Sequence, residues 1–152
     1  FTMDAIKIFL ITVFSTLLAF LAPIQNAIFF LGIAFFADFI FGVLVDLFVN
    51  DDRLRIKKAL FALLFLLLYS MTITYVFVGG YLMGDVEESM IIVKALTYIF
   101  VAIYTANTLR NLTLLFPDNR VWALLYHIFG LQILKKMPVL YNFIFGKENA
   151  EK

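Results

Sequence analysis

Apolar residues run along this chain in four long blocks separated by short polar stretches. A helix that crosses a bilayer needs roughly 20 mostly apolar residues, with about 17–25 observed. The first block, 8–24, meets the lower limit and ends among Pro23, Gln25 and Asn26. The second, 27–49, is interrupted only by Asp38 and Asp46, and the third, 59–83, carries no charge. The fourth, 90–116, contains Lys94 and Arg110 and stops at Pro117, Asp118 and Asn119. This pattern predicts transmembrane helices over 8–24, 27–49, 59–83 and 90–116. The stretch 50–58 reads as a water-exposed loop and 84–88 as a short acidic turn.

The first two blocks almost touch. As one helix, residues 8–49 would extend about 63 Å at 1.5 Å per residue, roughly twice the hydrocarbon thickness. A hairpin of two spans is therefore expected rather than a single bent helix.

Beyond Asn119 the pattern changes. Val121, Leu124, Leu125, Ile128 and Leu131 recur at helical spacing, with Arg120, His127 and Gln132 elsewhere on the wheel. At about 21 Å, the segment 120–134 is too short to span. It reads as an amphipathic helix in the headgroup plane, anchored by Trp122, Tyr126, Lys135 and Lys136, or as a cap packed beneath the bundle. The tail 146–152 is expected to be solvated.

Composition supports lipid as the solvent for this chain. Of 152 residues, 64% are hydrophobic and 15% charged, whereas a soluble domain carries about 45–50% and about 25%. That much apolar surface exceeds what an interior of this size encloses. The expected fold class is all-α: one polytopic membrane domain with four transmembrane helices and a C-terminal amphipathic interfacial helix. A net charge of +1 gives no footprint for nucleic acid, and the absence of cysteine removes any thiolate nucleophile or Cys-based metal site. Met3 reads as the native start, and Asp4 and Lys7 leave no basic n-region of a signal peptide.

Lys and Arg in short loops set orientation. Arg53, Arg55, Lys57 and Lys58 lie between spans two and three, whereas Asp85, Glu87 and Glu88 lie between three and four. Arg120, Lys135, Lys136, Lys147 and Lys152 follow the last span. Both termini are therefore expected on the cytoplasmic side.

Ionisable residues inside a span are costly and turn towards the bundle interior. Asp38 lies eleven residues past Ala27, about 16 Å along the helix and near the bilayer centre. Ala34, Asp38, Gly42 and Asp46 recur every four residues and form one stripe, offering close helix approach together with polar contact. Depth matches Asp46 with Arg110, and Asp38 with hydrogen-bonding partners Tyr69, Ser70 and Thr72 on span three. Lys94 reaches outward towards Glu87 and Glu88. Span four carries Thr97, Tyr104, Thr108 and Asn111, a stripe suited to a water-lined path or a subunit seam, and equally to ordinary hydrogen bonding inside a bundle. The ordinary reading is preferred for that stripe, and the functional one for Asp38.

Other signals are weak. His127 is the sole histidine and has no ligand cluster around it, so no metal or cofactor is expected. The Asn111-Leu112-Thr113 sequon falls inside an apolar span, and Gly79-Gly80 lies in an uncharged one. Ser15, Ser70 and Ser89 lack a base at matching depth, so no enzyme is expected. A proton-coupled carrier built on Asp38 stays open, although so short a bundle holds no inverted repeat.

Residues 21–45, LAPIQNAIFFLGIAFFADFIFGVLV, resemble the signature of the phage-type holins, the toxin-secretion or phage-lysis holins. There an apolar helix ends in an Asp-x-x-x-Gly-Val element, here Asp38 to Val43, followed by a basic loop, here Arg53 to Lys58. A further helix ends in a polar segment with an Asn, which the stretch from Asn107 to Asn111 matches. The resemblance covers roughly residues 20–116. Two departures are Phe41, where the family commonly has Thr, and Thr108 and Arg110, where it has an acidic residue. The resemblance implies a small protein that self-associates in the bacterial cytoplasmic (inner) membrane and opens a non-specific lesion, with Asp38 and Gly42 as seam residues. Its partners would then be the bilayer and further copies of itself. The contrasting expectation is a structural or anchoring subunit of a larger membrane complex, bound to other membrane-protein subunits and docked by its C-terminal helix.

Overall fold

The structure is a computed structural model that describes residues 2–50, 56–130, 138, 139 and 142. Arg53, Arg55, Lys135, Lys136, residues 131–134 of the amphipathic stretch and the tail 146–152 lie outside the described residues. The described chain forms α1 (Met3–Phe20), α2 (Ala22–Phe48), α3 (Ile56–Met83), α4 (Val86–Leu115) and α5 (Arg120–Ile128). Helices α1 to α4 are each long and apolar enough to cross a membrane, and no strand occurs among the described residues. The chain is an all-α, polytopic membrane protein.

The first break falls earlier than the polar residues suggest, at Leu21 and not at Gln25–Asn26. Pro23 is the cause. Its missing N–H cannot bond the Ala19 carbonyl, so α1 must stop, whereas Pro is well tolerated in the first turn of α2. Leu21 keeps near-helical angles (φ −85°, ψ 0°) and is alone between the helices, where an antiparallel helix pair needs a loop of about 2–5 residues. The expected hairpin is corrected accordingly. Helices α1 and α2 meet at a bend, and α1 buries none of its residues. Its last turn touches α3, with the Phe20 ring 4.8 Å from Tyr81 and 5.7 Å from Phe77.

Helices α2, α3 and α4 make the packed bundle. Ile24, Leu31 and Phe35 from α2 meet Ile73 and Phe77 from α3 and Val93, Val101 and Tyr104 from α4. Helix α4 buries the most: Ser89, Val93, Thr97, Val101 and Tyr104, spaced by three to four, keep one face turned inward, and Ala106, Asn111 and Leu112 are buried further along. Small and hydroxyl side chains on this face let the helices approach closely.

The α3–α4 turn is tighter than the acidic run predicts. Gly84 takes a positive φ of 81°, the left-handed position that ends helices on glycine. Glu87 and Glu88 are in the first turn of α4, where carboxylates complement the helix dipole. Gly80 explains the glycine pair: a Cβ there would stand 2.2 Å from the Ser89 Cβ, so only glycine permits this approach. At the opposite end, Lys57 and Lys58 belong to the start of α3 and not to a loop.

Helix α5 begins where Asn119 accepts a hydrogen bond from the Val121 amide at 3.0 Å, an N-cap arrangement. It packs on α4. Trp122 and Tyr126, one turn apart, are half-buried, while Val121, Leu124, Leu125 and Ile128 stay exposed at 57%, 57%, 41% and 41%. The aromatic edge thus faces the protein and the aliphatic stripe faces away. Cap and interfacial helix are here two faces of one element.

Candidate functional site: a polar cavity within the bundle

The stripe on α2 faces α4, the helix it packs against most extensively. Ala34 lies against the core cluster. At Gly42 an added Cβ would meet the Asn111 Nδ2 at 3.6 Å, ordinary contact, so the glycine brings the α2 backbone close to an α4 amide. Asn111 donates that amide to the Asp38 Oδ1 at 3.4 Å. Asn107, one turn earlier on α4, lies against the same carboxylate, and the Arg110 guanidinium adds a positive charge nearby.

Asp38, Gly42, Asp46, Asn107, Arg110 and Asn111 line one cavity of about 380 Å³ between α2, α3 and α4. Asn50, Lys58, Ala59 and Ala62 complete its polar mouth and α3 wall. Of the sequence-selected residues, six therefore converge here.

Two pairings differ from expectation. Asp46 is bridged by the Lys58 ammonium at the start of α3, in place of the expected Arg110. The register of α3 explains this, because the helix starts at Ile56 and so delivers Lys58 to the level of Asp46. Arg110 lines the same cavity further round. The same register moves the expected α3 partners of Asp38. Ala62 and Phe65 stand opposite Asp38, and Ser70 and Thr72 lie further along α3, Ser70 being about 12 Å beyond Ala62. Thr72 donates to the Leu68 carbonyl at 2.8 Å, and the Ser70 carbonyl accepts from Thr74 at 2.9 Å. Both are intrahelical. Asp38 is served by α4.

Tyr69 does approach the site. It stacks on Phe100 at 4.2 Å and 8° and lies 5.9 Å from Tyr104. Together with Phe35, Asp38, Asn107 and Tyr104 it lines a second cavity of about 200 Å³. The α4 stripe faces inward, yet its threonines bond their own helix: Thr97 donates to Val93 at 2.7 Å and Thr108 to Tyr104 at 2.9 Å. Tyr104 differs. It is 7% exposed, and its hydroxyl has no hydrogen-bond partner among the described residues.

Lys58 is the residue that sequence reasoning missed, having been counted only as a loop charge. Its signal was its place immediately before an uncharged span, where a long side chain can reach back to a carboxylate at the end of the preceding helix. Trp122 and Tyr126 are half-buried on α5, which packs on α4, and are not among the residues that line the cavity. No group of three or more His, Cys, Asp or Glu suited to a metal occurs among the described residues. Chemically, the cavity offers paired charges and carboxamides in an otherwise apolar bundle, an arrangement for holding polar groups or water. Comparison with known protein families, with curated proteins and with solved structures returns no match, so the holin resemblance rests on the residues quoted for it.

Proposed function

We propose that this chain is a holin-like, self-associating protein of the bacterial cytoplasmic membrane whose activity is permeation, and that α1 is its assembly surface. The observation that carries the reading is the state of α1: eighteen residues, apolar enough to span, with none buried against the rest of the chain. The α2 stripe, in contrast, is occupied by α4 within one chain, which moves the seam away from Asp38 and Gly42. On α1, Ala5, Thr12, Ser15, Thr16 and Ala19 fall on one side, the kind of small-residue face through which membrane helices associate. Thr12 and Thr16 donate to their own helix at 2.8 Å each, so a neighbouring helix meets no unsatisfied hydroxyl. The basic residues at the α2–α3 end and the acidic ones at the α3–α4 turn favour the former on the cytoplasmic side.

One experiment tests the activity and the assembly together. Induced expression in bacteria should collapse the membrane potential, and detergent-extracted protein should have the mass of a homo-oligomer. A full chain with Thr12→Leu and Thr16→Leu should keep its helical content while losing both properties. Unchanged potential on expression of the wild-type chain overturns the permeation reading.

The anchoring-subunit reading is favoured by one observation, the α2 stripe, whose carboxylates are engaged within the chain by Asn111 and Lys58 and do not face outward to line a pore. It requires a fixed set of other membrane proteins to co-purify; recovery of homo-oligomers alone removes it.

A further inference from the structure

The smaller cavity differs from the larger in the chemistry of its wall. Phe35 and Phe39 from α2, Phe65 and Tyr69 from α3, and Tyr104 from α4 all line it. Its charged residue is Asp38, a carboxylate, whereas the cations Lys58 and Arg110 line the larger cavity. Arg110 acts on Asp38 through space, yet no cation forms an ion pair with Asp38 among the described residues.

Rings and carboxylate together select a type of ligand. An aromatic face attracts a cation within about 6 Å, most strongly where water is excluded. The rings lie in different planes, Tyr104 being inclined by 65° to Tyr69 and by 77° to Phe35. They therefore wall the space from several sides and do not form one flat stack. Tyr69 is held further by stacking on Phe100 at 4.2 Å. The carboxylate adds a negative charge that is costly inside a membrane without a partner of opposite sign. A primary ammonium carries three donors that all need acceptors, and here Asp38 already accepts from Asn111 while the Tyr104 hydroxyl is buried. A quaternary ammonium needs no acceptor.

Size and depth narrow the choice. The space of about 200 Å³ exceeds the roughly 150 Å³ of a protein cavity that holds benzene, so a trimethylammonium group fits. Asp38 precedes the end of α2 at Phe48 by ten residues, about 15 Å along the helix. A phospholipid headgroup held at the interface does not reach that level, so the source is a free organic cation. Phe65, 51% exposed, belongs to the same wall, and the cavity is partly open to an entering cation.

We infer that Asp38, Phe35, Tyr69 and Tyr104 bind a small quaternary ammonium ion within the membrane-spanning bundle, the carboxylate balancing its charge and the rings contacting its methyl groups. Binding belongs to a single chain and stands whether or not the chain permeabilises membranes.

Calorimetric titration of the full-length protein in a non-ionic detergent tests this, with choline and with 3,3-dimethylbutanol, its uncharged analogue of the same shape. Choline should bind at least about tenfold more tightly. Asp38→Asn, which keeps the shape and an acceptor for Asn111, should abolish that preference. Tyr69→Phe keeps the ring and should hold choline affinity within about threefold, whereas Tyr69→Leu should weaken it by about 3- to 30-fold. Tyr69 is only half-buried, so these two variants read the site even where Asp38→Asn folds poorly. Choline binding no tighter than its uncharged analogue, or a preference that survives Asp38→Asn, overturns the inference. Equal affinity of Tyr69→Phe and Tyr69→Leu overturns it too, by removing the rings from the site.

Discussion

Asn111 on α4 donates its amide to the Asp38 carboxylate on α2 across 3.4 Å and a separation of 73 residues. This contact joins the two helices that share the largest interface, at the depth where an isolated carboxylate is most expensive. Asn111 is itself 8% exposed, so its carboxamide is not compensated by solvent when Asp38 is removed.

Asp38→Leu should therefore destabilise the bundle by about 1–3 kcal/mol, the cost of leaving the buried Asn111 carboxamide without its partner. Asp38→Leu combined with Asn111→Leu should recover part of this loss, with a coupling of about 0.5–2 kcal/mol. Denaturing-detergent titration of the purified protein measures both. Strict additivity of the two substitutions would show that the contact carries no energy.

The glycines of α3 should divide sharply. Gly80→Ala would drive a Cβ to 2.2 Å from Ser89 and 3.1 Å from the Asp85 carbonyl, and should cost about 1–3 kcal/mol as overpacking. Gly79→Ala meets nothing within 4 Å and should be neutral or stabilise by up to about 1 kcal/mol through helix propensity. The same titration distinguishes them, and equal behaviour of the two variants would contradict the α3–α4 approach.

Gly42 offers a graded test of the α2–α4 contact. Gly42→Ala places its methyl at ordinary distance from Asn111 and should be tolerated within about 1 kcal/mol, whereas Gly42→Leu should separate the helices at a cost of about 1–3 kcal/mol. Spin labels at exposed positions of α2 and α4 should report a wider distance for Gly42→Leu alone.

Lys58 and Asp46 present a contrasting pair. Lys58 is 66% exposed and Asp46 16%, so Lys58→Ala should cost no more than about 1 kcal/mol. Lys58→Glu should cost more, by placing like charges together at the cavity mouth, and added salt should reduce the difference. A salt-independent loss would place the cause in packing.

Phe20 fastens α1 to the bundle through Tyr81 and Phe77. Phe20→Ala should loosen this junction with little loss of bundle stability, since α1 buries nothing else. Distance distributions between labels on α1 and α3 should broaden, while the α3–α4 distribution stays narrow.

The hydrophobic pattern by itself determined that four helices are long enough to cross a bilayer, that an amphipathic fifth follows, and that Asp38, Gly42, Asp46 and Asn111 face inward. Each of these depends on local length and on the cost of polar groups in lipid, both of which can be read one segment at a time. The tertiary structure decided what depends on two segments together. It set the register of α3, which gives Asp46 to Lys58 and moves Ser70 and Thr72 away from Asp38. It also left α1 with none of its residues buried, held to the bundle through its last turn, where Phe20 meets Phe77 and Tyr81. Tyr104 shows the division most clearly: its spacing placed it on the inner face of α4, but only the fit of three helices left its hydroxyl buried and without a partner among the described residues. Periodicity fixes which way a side chain points, and packing between distant segments fixes what it finds there.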